Sequence, residues 1–300
     1  MIEVPAKFVQ ATAHREGEPG LRWIESLPVV VGELLDRWSC HVTGPATHGF
    51  VAVIVPVRRA DGSDAVIKVS WPHPGNVAEP FALAAWAGRG AVRLLERDDE
   101  RFAMLLERLA PESLGSVDDV IRGVAVAGEL ARQLAVPAPP SVPALAEVTA
   151  HWEENLEAES ELLGHPHPHR VLDAALATAR ELGRDQPRTL VHGDLHFGNI
   201  LRGDRSPWLT IDPKGWAGDL SYDVLTLLRA RWADAVAEPD LRRALLRRVE
   251  VFADAAGVDS QRVRRWAQAR AVAEAQVSRR YREPAEITAV CDEIATLLAD

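Results

Sequence analysis

The sequence predicts an α+β chain in two unequal parts, a small antiparallel β-rich lobe followed by a larger, mostly helical one. Three observations point there. Apolar residues alternate at period two within the first 107 positions, and beyond Pro111 they recur at helical spacing. The third is a polar stretch set between two short apolar runs, TLVHGDLHFGNILRGDRSPWLTIDP (residues 189–213), which falls in the second part. The boundary is therefore placed to give units of 1–107 and 108–300.

The elements follow in order. Residues 20–38 read as a helix. In VAVIVPVRR, Val51, Val53, Val55 and Val57 share one face of a strand; AVIKVS is its partner, joined through Asp61-Gly62, so residues 50–70 form a hairpin. WPHPGNVAEPFALAAWAGRG reads as a proline-bearing loop and then an Ala-rich helix closed by Gly88 or Gly90. AVRLLERDDERFAMLLERL predicts a second hairpin turning at Asp98-Asp99. Past Pro111, one helix is marked by Val120, Ile121, Val124, Leu130 and Leu134, and another by Leu241, Leu245, Leu246, Val249 and Phe252. Further helices are expected over HWEENLEAESELL and over residues 221–236, with VPAPPSVP (136–143) as a Pro-rich connector. No internal repeat is visible.

With 300 residues, 47% of them hydrophobic, the chain can bury one large or two modest cores. No run of about 18 apolar residues appears. The start, MIEVPAKFVQATAHREGEPG, lacks the basic-then-apolar layout of a leader, so a soluble cytoplasmic protein without membrane association is expected. Cys40 and Cys291 lie at opposite ends of the chain, which argues against a disulfide framework or a zinc knuckle. The formal charge of -10 disfavours nucleic acid as a partner and mildly favours a cationic small molecule. A monomer or homodimer is expected.

The polar stretch admits a transition-metal site, a hydrolase or magnesium-dependent phosphoryl transfer. Asp194 and Asn199 stand five apart just after the apolar run Thr189 to Val191, and Asp212 comes 18 residues after Asp194, at the end of WLTID. Phosphoryl transfer needs an aspartate to orient and deprotonate a hydroxyl, and hard oxygen ligands to hold magnesium against nucleotide phosphates. The kinase pattern H-x-D-L-x-x-x-N with a later Asp provides these in this order, His192 bracing the loop. Upstream, Lys68 places a charge in an otherwise apolar strand, costly without a partner. Glu79, ahead of the Ala-rich helix, is the candidate partner. Taken alone, Lys68 would read as an edge lysine facing water.

Other residues take their readings beside these. His165, His167 and His169, separated by prolines, read as a surface loop rather than a metal tract. His192 and His196 lack a third ligand at zinc spacing, and His196 either meets the acceptor or fills the loop. Trp216 is a candidate wall of the acceptor pocket, whereas Trp232 reads as core. The acidic run Glu153, Glu154, Glu157, Glu159 and Glu161 reads as a solvated helix face rather than a lure for a cation, and Asp219 and Asp223 as caps or braces.

Together AVIKVSWP, EPFALAAWAGRGAVRLLERDDERFAMLLERL, LVHGDLHFGNIL and IDPKGWAGDLSYDVLTLLR span most of residues 50–230. On these stretches the chain resembles the aminoglycoside phosphotransferases, and among them the streptomycin 6-phosphotransferase and hydroxyurea-type antibiotic kinases. The resemblance implies a bilobal protein-kinase-like fold, ATP with Mg2+, and transfer of the γ-phosphate to a hydroxyl of a small antibiotic, streptomycin being the expected acceptor. It implies Asp194 as the catalytic base, Asn199 and Asp212 as magnesium ligands, and Lys68, held by Glu79, on the phosphates. It also implies backbone contacts to adenine near Glu107 and Leu109.

The chain departs from protein kinases in three places. Gly193 stands where they carry an arginine, no A-P-E follows Asp212, and Asp-Pro replaces Asp-Phe-Gly, which argues against a protein substrate. The phosphate loop TGPATHGF offers Gly44 and Gly49 without the full G-x-G-x-x-G. Two alternatives stay open: a kinase of the same fold acting on a sugar, an amino alcohol or hydroxyurea, and a nucleotide-binding module without catalysis.

Overall fold

A computed structural model describes residues 2–299. The chain opens with α1 (Ala6–Arg37), then β1 (Cys40–Val42), β2 (Thr47–His48), β3 (Ala52–Arg59), β4 (Asp64–Ser70), α2 (Glu79–Trp86), β5 (Leu94–Asp98) and β6 (Ala103–Glu107). The strands form one antiparallel sheet of order β1-β3-β4-β6-β5, with β2 added on β3. The expected hairpin is there: its turn holds Asp61 Oδ1 on the Ser63 N–H at 2.9 Å.

The pleat sorts the side chains. Val53, Val55, Val57, Ile67 and Val69 go to one face and pack on Phe8, Leu27, Val31 and Leu34 of α1, all essentially without exposure. Ile54, Val66 and Lys68 alternate with them and so face the other way, toward a cleft.

Three expectations need correction at their edges. The first helix begins 14 residues before the predicted start, at Ala6 instead of residue 20, and it bends at Gly17 (φ 62, ψ -144), where GEPG interrupts the helical pattern. The second hairpin reverses over residues 99–102 instead of at Asp98-Asp99. There Asp98 accepts from the Arg101 N–H at 3.2 Å and Phe102 takes φ 50. The helix expected over 221–236 is broken: a 3-10 turn (Leu220–Asp223) runs into one short helix (Val224–Arg229), and Arg231 at φ 49 parts that from a second (Trp232–Val236).

The second half runs through α3 (Val120–Leu134), α4 (Leu145–Thr149), α5 (Trp152–Leu162) and α6 (His169–Leu182) to four short strands, β7 (Leu190–Val191), β8 (Ile200–Arg202), β9 (Trp208–Thr210) and β10 (Trp216–Ala217). α7 (Val224–Arg229), α8 (Trp232–Val236), α9 (Leu241–Ala256), α10 (Ser260–Tyr281) and α11 (Ala285–Leu297) complete it. Asp119 caps α3, accepting from Ile121 and Arg122 at 2.9 and 3.2 Å. The core gathers Val124, Phe197, Leu225, Phe252 and Ala271 from helices and loop alike, and Trp232 packs against it as expected. His167 departs from the surface reading: it is 5% exposed, with Nε2 2.9 Å from an Asp292 carboxylate oxygen on α11. In the acidic run Glu153 pairs with Arg180 and Arg184 and Glu159 with Arg280, while Glu154, Glu157 and Glu161 face solvent. Among the described residues no helix is long and apolar enough to cross a membrane.

The two halves are joined by more than the connecting chain. Val92 donates to the Thr210 carbonyl at 2.8 Å and Thr210 to that of Gly90 at 2.9 Å. Arg205, on the β8–β9 hairpin, clasps this junction by donating to the Gly88 and Ala91 carbonyls and to the Glu107 carboxylate.

Candidate active site

Lys68 sits on β4 between Ile54 of β3 and Met104 of β6, a central position that leaves it 6% exposed. A bare ammonium there would be strongly disfavoured. It is instead paired twice, with Glu79 (Nζ to Oε1 2.6 Å, to Oε2 2.7 Å) and with Asp212 (Nζ to Oδ1 2.5 Å). Burial works against the Lys68 charge, but the two carboxylates outweigh it and raise its pKa. Two carboxylates share one ammonium, and they divide unequally. The enclosed Glu79 is pushed up by burial, and Asp212, half-open to the cleft, is held below the ordinary carboxylate range by Lys68.

The cleft these groups face has a volume of about 810 Å³. Gly44 and Gly49, Lys68, Glu79, Glu107, Leu109 and Asp212 all line it, so the residues assigned to nucleotide converge in one space. Neither Gly44 nor Gly49 has a positive φ, and a Cβ at Gly49 would meet nothing within 4 Å. The fold itself does not demand glycine there. The Glu107 side chain turns away to Arg205, and its N–H donates to the Arg93 carbonyl at 3.0 Å. The Leu109 N–H finds no acceptor among the described residues. The sequence reading passed over the apolar walls Ile54, Val66, Leu106, Leu201 and Ile211. Their signal was the second phase of the strand alternation, at Ile54 and Val66, opposite the core valines.

Asp194 stands in the loop between β7 and the 3-10 turn Phe197–Asn199. The loop is held from below by Asp223, fully buried, whose Oδ2 and Oδ1 accept from the N–H groups of His192 (3.1 Å) and Gly193 (2.7 Å). Gly193 is required twice over: φ is 83, and a Cβ would lie 2.5 Å from the Trp216 ring. Trp216 thus lies against the loop backbone one residue from Asp194, brought there by the pairing of β10 with β7. Asn199 donates from Nδ2 to the Asp194 carbonyl at 3.0 Å, leaving its amide oxygen as acceptor. His196 fills the loop, its Nδ1 accepting from Gly198 at 3.0 Å. Asp219 is a brace, taking the Trp266 Nε1–H at 2.7 Å, the Ser221 N–H at 2.9 Å and Arg262.

His192 is 1% exposed. Its Nε2 donates to the Ile211 carbonyl at 3.0 Å and its Nδ1 accepts from the Asp194 N–H at 3.2 Å, while Trp86 stacks on the ring. These partners define a neutral tautomer. Burial pushes its pKa down to about 4. An unfolded histidine titrates near ~6.5, so the unfolded chain takes up this proton first. The stability owed to neutral His192 is complete above that pH and lost as pH falls toward 4. Asp223, lifted by burial to about 6, acts with opposite sign over part of the same range. Assigned imidazole NMR resonances separate the two: His192 is expected to stay neutral at pH 5.5, and a midpoint near ~6.5 would refute the assignment.

Asn199 and Asp212 carry hard oxygen donors of the kind magnesium takes, and the Ile211 N–H on the Asn199 carbonyl at 2.9 Å brings their backbones together. Among the described residues no three His, Cys, Asp or Glu side chains gather as a metal cage.

An antiparallel sheet joined to a helical half across a cleft, with Lys68 and Glu79 on one side and Asp212 on the other, is the bilobal, protein-kinase-like architecture of small-molecule phosphotransferases. The solved aminoglycoside phosphotransferase APH(4)-Ia has that fold, with a TM-score of 0.57 at 14% identity over 89% of this chain and 98% of that one. The chain belongs to the aminoglycoside/hydroxyurea antibiotic resistance kinase family, whose model matches residues 37–281. It is similar to the streptomycin 6-kinase of Streptomyces glaucescens, 38% identical over 89% of this chain and 87% of that one. It is equally similar to the hydroxyurea phosphotransferase of Kitasatospora aureofaciens, 38% identical over 91% of this chain and 79% of that one.

Proposed function

We propose that this kinase transfers the γ-phosphate of ATP to a hydroxyl of streptomycin, with residues 1–107 as the nucleotide-binding lobe, closed from below by residues of 108–300, and 108–300 also carrying the base and the acceptor. The observation that carries this reading is the Lys68–Glu79–Asp212 grip, which joins the sheet to the catalytic loop region in one cleft. Adenine would lie between Ile54, Val66 and Leu106 above and Leu201 and Ile211 below, with the Leu109 N–H and the Glu107 carbonyl at its edge. Lys68 would meet the α/β-phosphates, and Gly44 and Gly49 would let the backbone approach them. Asn199 and Asp212 would hold Mg2+, which neutralises phosphate charge as it develops.

Asp194 would accept the proton of the attacking hydroxyl as that oxygen bonds to the γ-phosphorus and the bond to the ADP oxygen breaks. Trp216 would wall the acceptor beside it. The relatives support an antibiotic acceptor, and the charge of -10 suits a cationic one. Hydroxyurea is the second reading, favoured by the equally similar phosphotransferase.

Incubating the protein with ATP and Mg2+ and either compound, then weighing the products by mass spectrometry, separates the two. Streptomycin is expected to gain one phosphoryl group. Phosphorylation of hydroxyurea alone would replace the first reading with the second, and transfer to neither would overturn both.

A further inference from the structure

Arg270 lies in the middle of α10, 4% exposed, in a region where the sequence carries no motif. Its guanidinium is committed on every side. Nε donates to Glu274 Oε1 at 2.8 Å, Nη1 to the Tyr222 carbonyl at 2.9 Å and Nη2 to the Gly193 carbonyl at 3.4 Å, and its central carbon stands 4.1 Å from the centroid of the Tyr222 ring. Burying such a cation is strongly unfavourable unless partners compensate it. Neighbouring positions of α10 pack with small apolar residues, Ala267, Ala269, Ala271 and Val272, at no such cost. Packing alone therefore does not account for an arginine.

The Gly193 carbonyl belongs to the peptide unit whose N–H is that of Asp194. This unit is held at both ends, its carbonyl by Arg270 and its N–H by His192 Nδ1 at 3.2 Å. The preceding N–H is held by Asp223. With φ at 83, Gly193 has wide backbone freedom, and without these contacts the peptide could rotate and carry Asp194 with it.

We propose that Arg270 is a positioning residue for phosphoryl transfer: from α10 it fixes the Gly193–Asp194 peptide and so aims the base. The proposal rests on Asp194 as that base. A lysine keeps the charge but cannot grip three acceptors with one planar fork.

The test compares Arg270→Lys and Arg270→Met with the wild type in melting temperature, kcat, KM for ATP, and hydrogen exchange over residues 190–199. For a folded Arg270→Lys, kcat is expected to fall roughly 10- to 100-fold, the cost of a small misplacement of a reacting group, with KM for ATP little changed. Exchange at residues 190–199 is expected to quicken while α10 stays protected. Unchanged exchange, an unchanged kcat, or a loss residing in KM for ATP would each overturn the proposal. Arg270→Met, which takes the neighbouring cation from Asp223 and leaves Glu274 with Arg229 alone, is expected to show the larger loss; if it does not fold, Arg270→Lys decides. Should the wild type phosphorylate no acceptor, the proposed function fails, and the exchange measurement alone decides the role of Arg270.

Discussion

Asp194→Asn is expected to lower kcat by roughly 10³-fold, the usual contribution of a positioned general base, while ATP binds almost as before. The substitution is nearly isosteric and leaves the loop's anchors in place, since Asp223, His192 and Asn199 all grip backbone atoms. What changes is the group that would take the hydroxyl proton. Single-turnover phosphate transfer read beside nucleotide affinity checks this. Wild-type turnover in the variant would remove Asp194 from the chemistry, and lost affinity with intact turnover would move it to the nucleotide site.

Asp212→Asn should cost a similar factor, roughly 10³-fold in kcat/KM, by a different route. Asp212 is the half-open carboxylate of the Lys68 site, so it is the one able to exchange its partner for a divalent cation. Removing its charge leaves Lys68 paired with the enclosed Glu79, and the fold should hold. The loss should therefore be accompanied by a higher magnesium requirement, read by titrating Mg2+ at saturating ATP. A variant with reduced activity but the wild-type Mg2+ dependence would contradict the assignment of Asp212 as a metal ligand.

The sheet was legible because it depends on short-range pattern, and the cleft residues because the stretches that hold them resemble a known family. Period-two alternation identified β3 and β4, and the cost of a bare charge marked Lys68 as needing a partner; that it faces away from the valines covering α1 is visible only in the folded sheet. The loop from His192 to Asn199 was legible because its polar residues stand at fixed offsets along one short stretch. α10 was not. Its buried side is built of Ala267, Ala269, Ala271 and Ala275, and its polar residues, Gln268, Arg270 and Gln276, are buried too. An element enclosed on nearly all sides shows no apolar stripe, so helical periodicity had nothing to register. His167 was misread for a related reason: His-Pro repeats look solvated until a distant carboxylate, Asp292, is folded against one of them. The broken helix at Ala230-Arg231 depends on a left-handed arginine whose side chain reaches the Val117 and Asp118 carbonyls, contacts more than a hundred residues apart in sequence.

The pairing of Gly90 and Val92 with Thr210, clasped by Arg205, bears on how the two halves can move. Hydrogen bonds of about 2.8–2.9 Å tolerate little stretching before they are lost. The sheet therefore cannot lift bodily off the catalytic loop. A motion that kept these bonds would be a swing about that seam, as a door swings on its jamb. In the sheet order β1 and β3 lie farthest from β5, so Gly44 and Gly49 sit on the free edge, where the arc is widest. The contact of Lys68 with Asp212 would then be the bolt of that door, drawn if a metal-bound nucleotide took the carboxylate for itself.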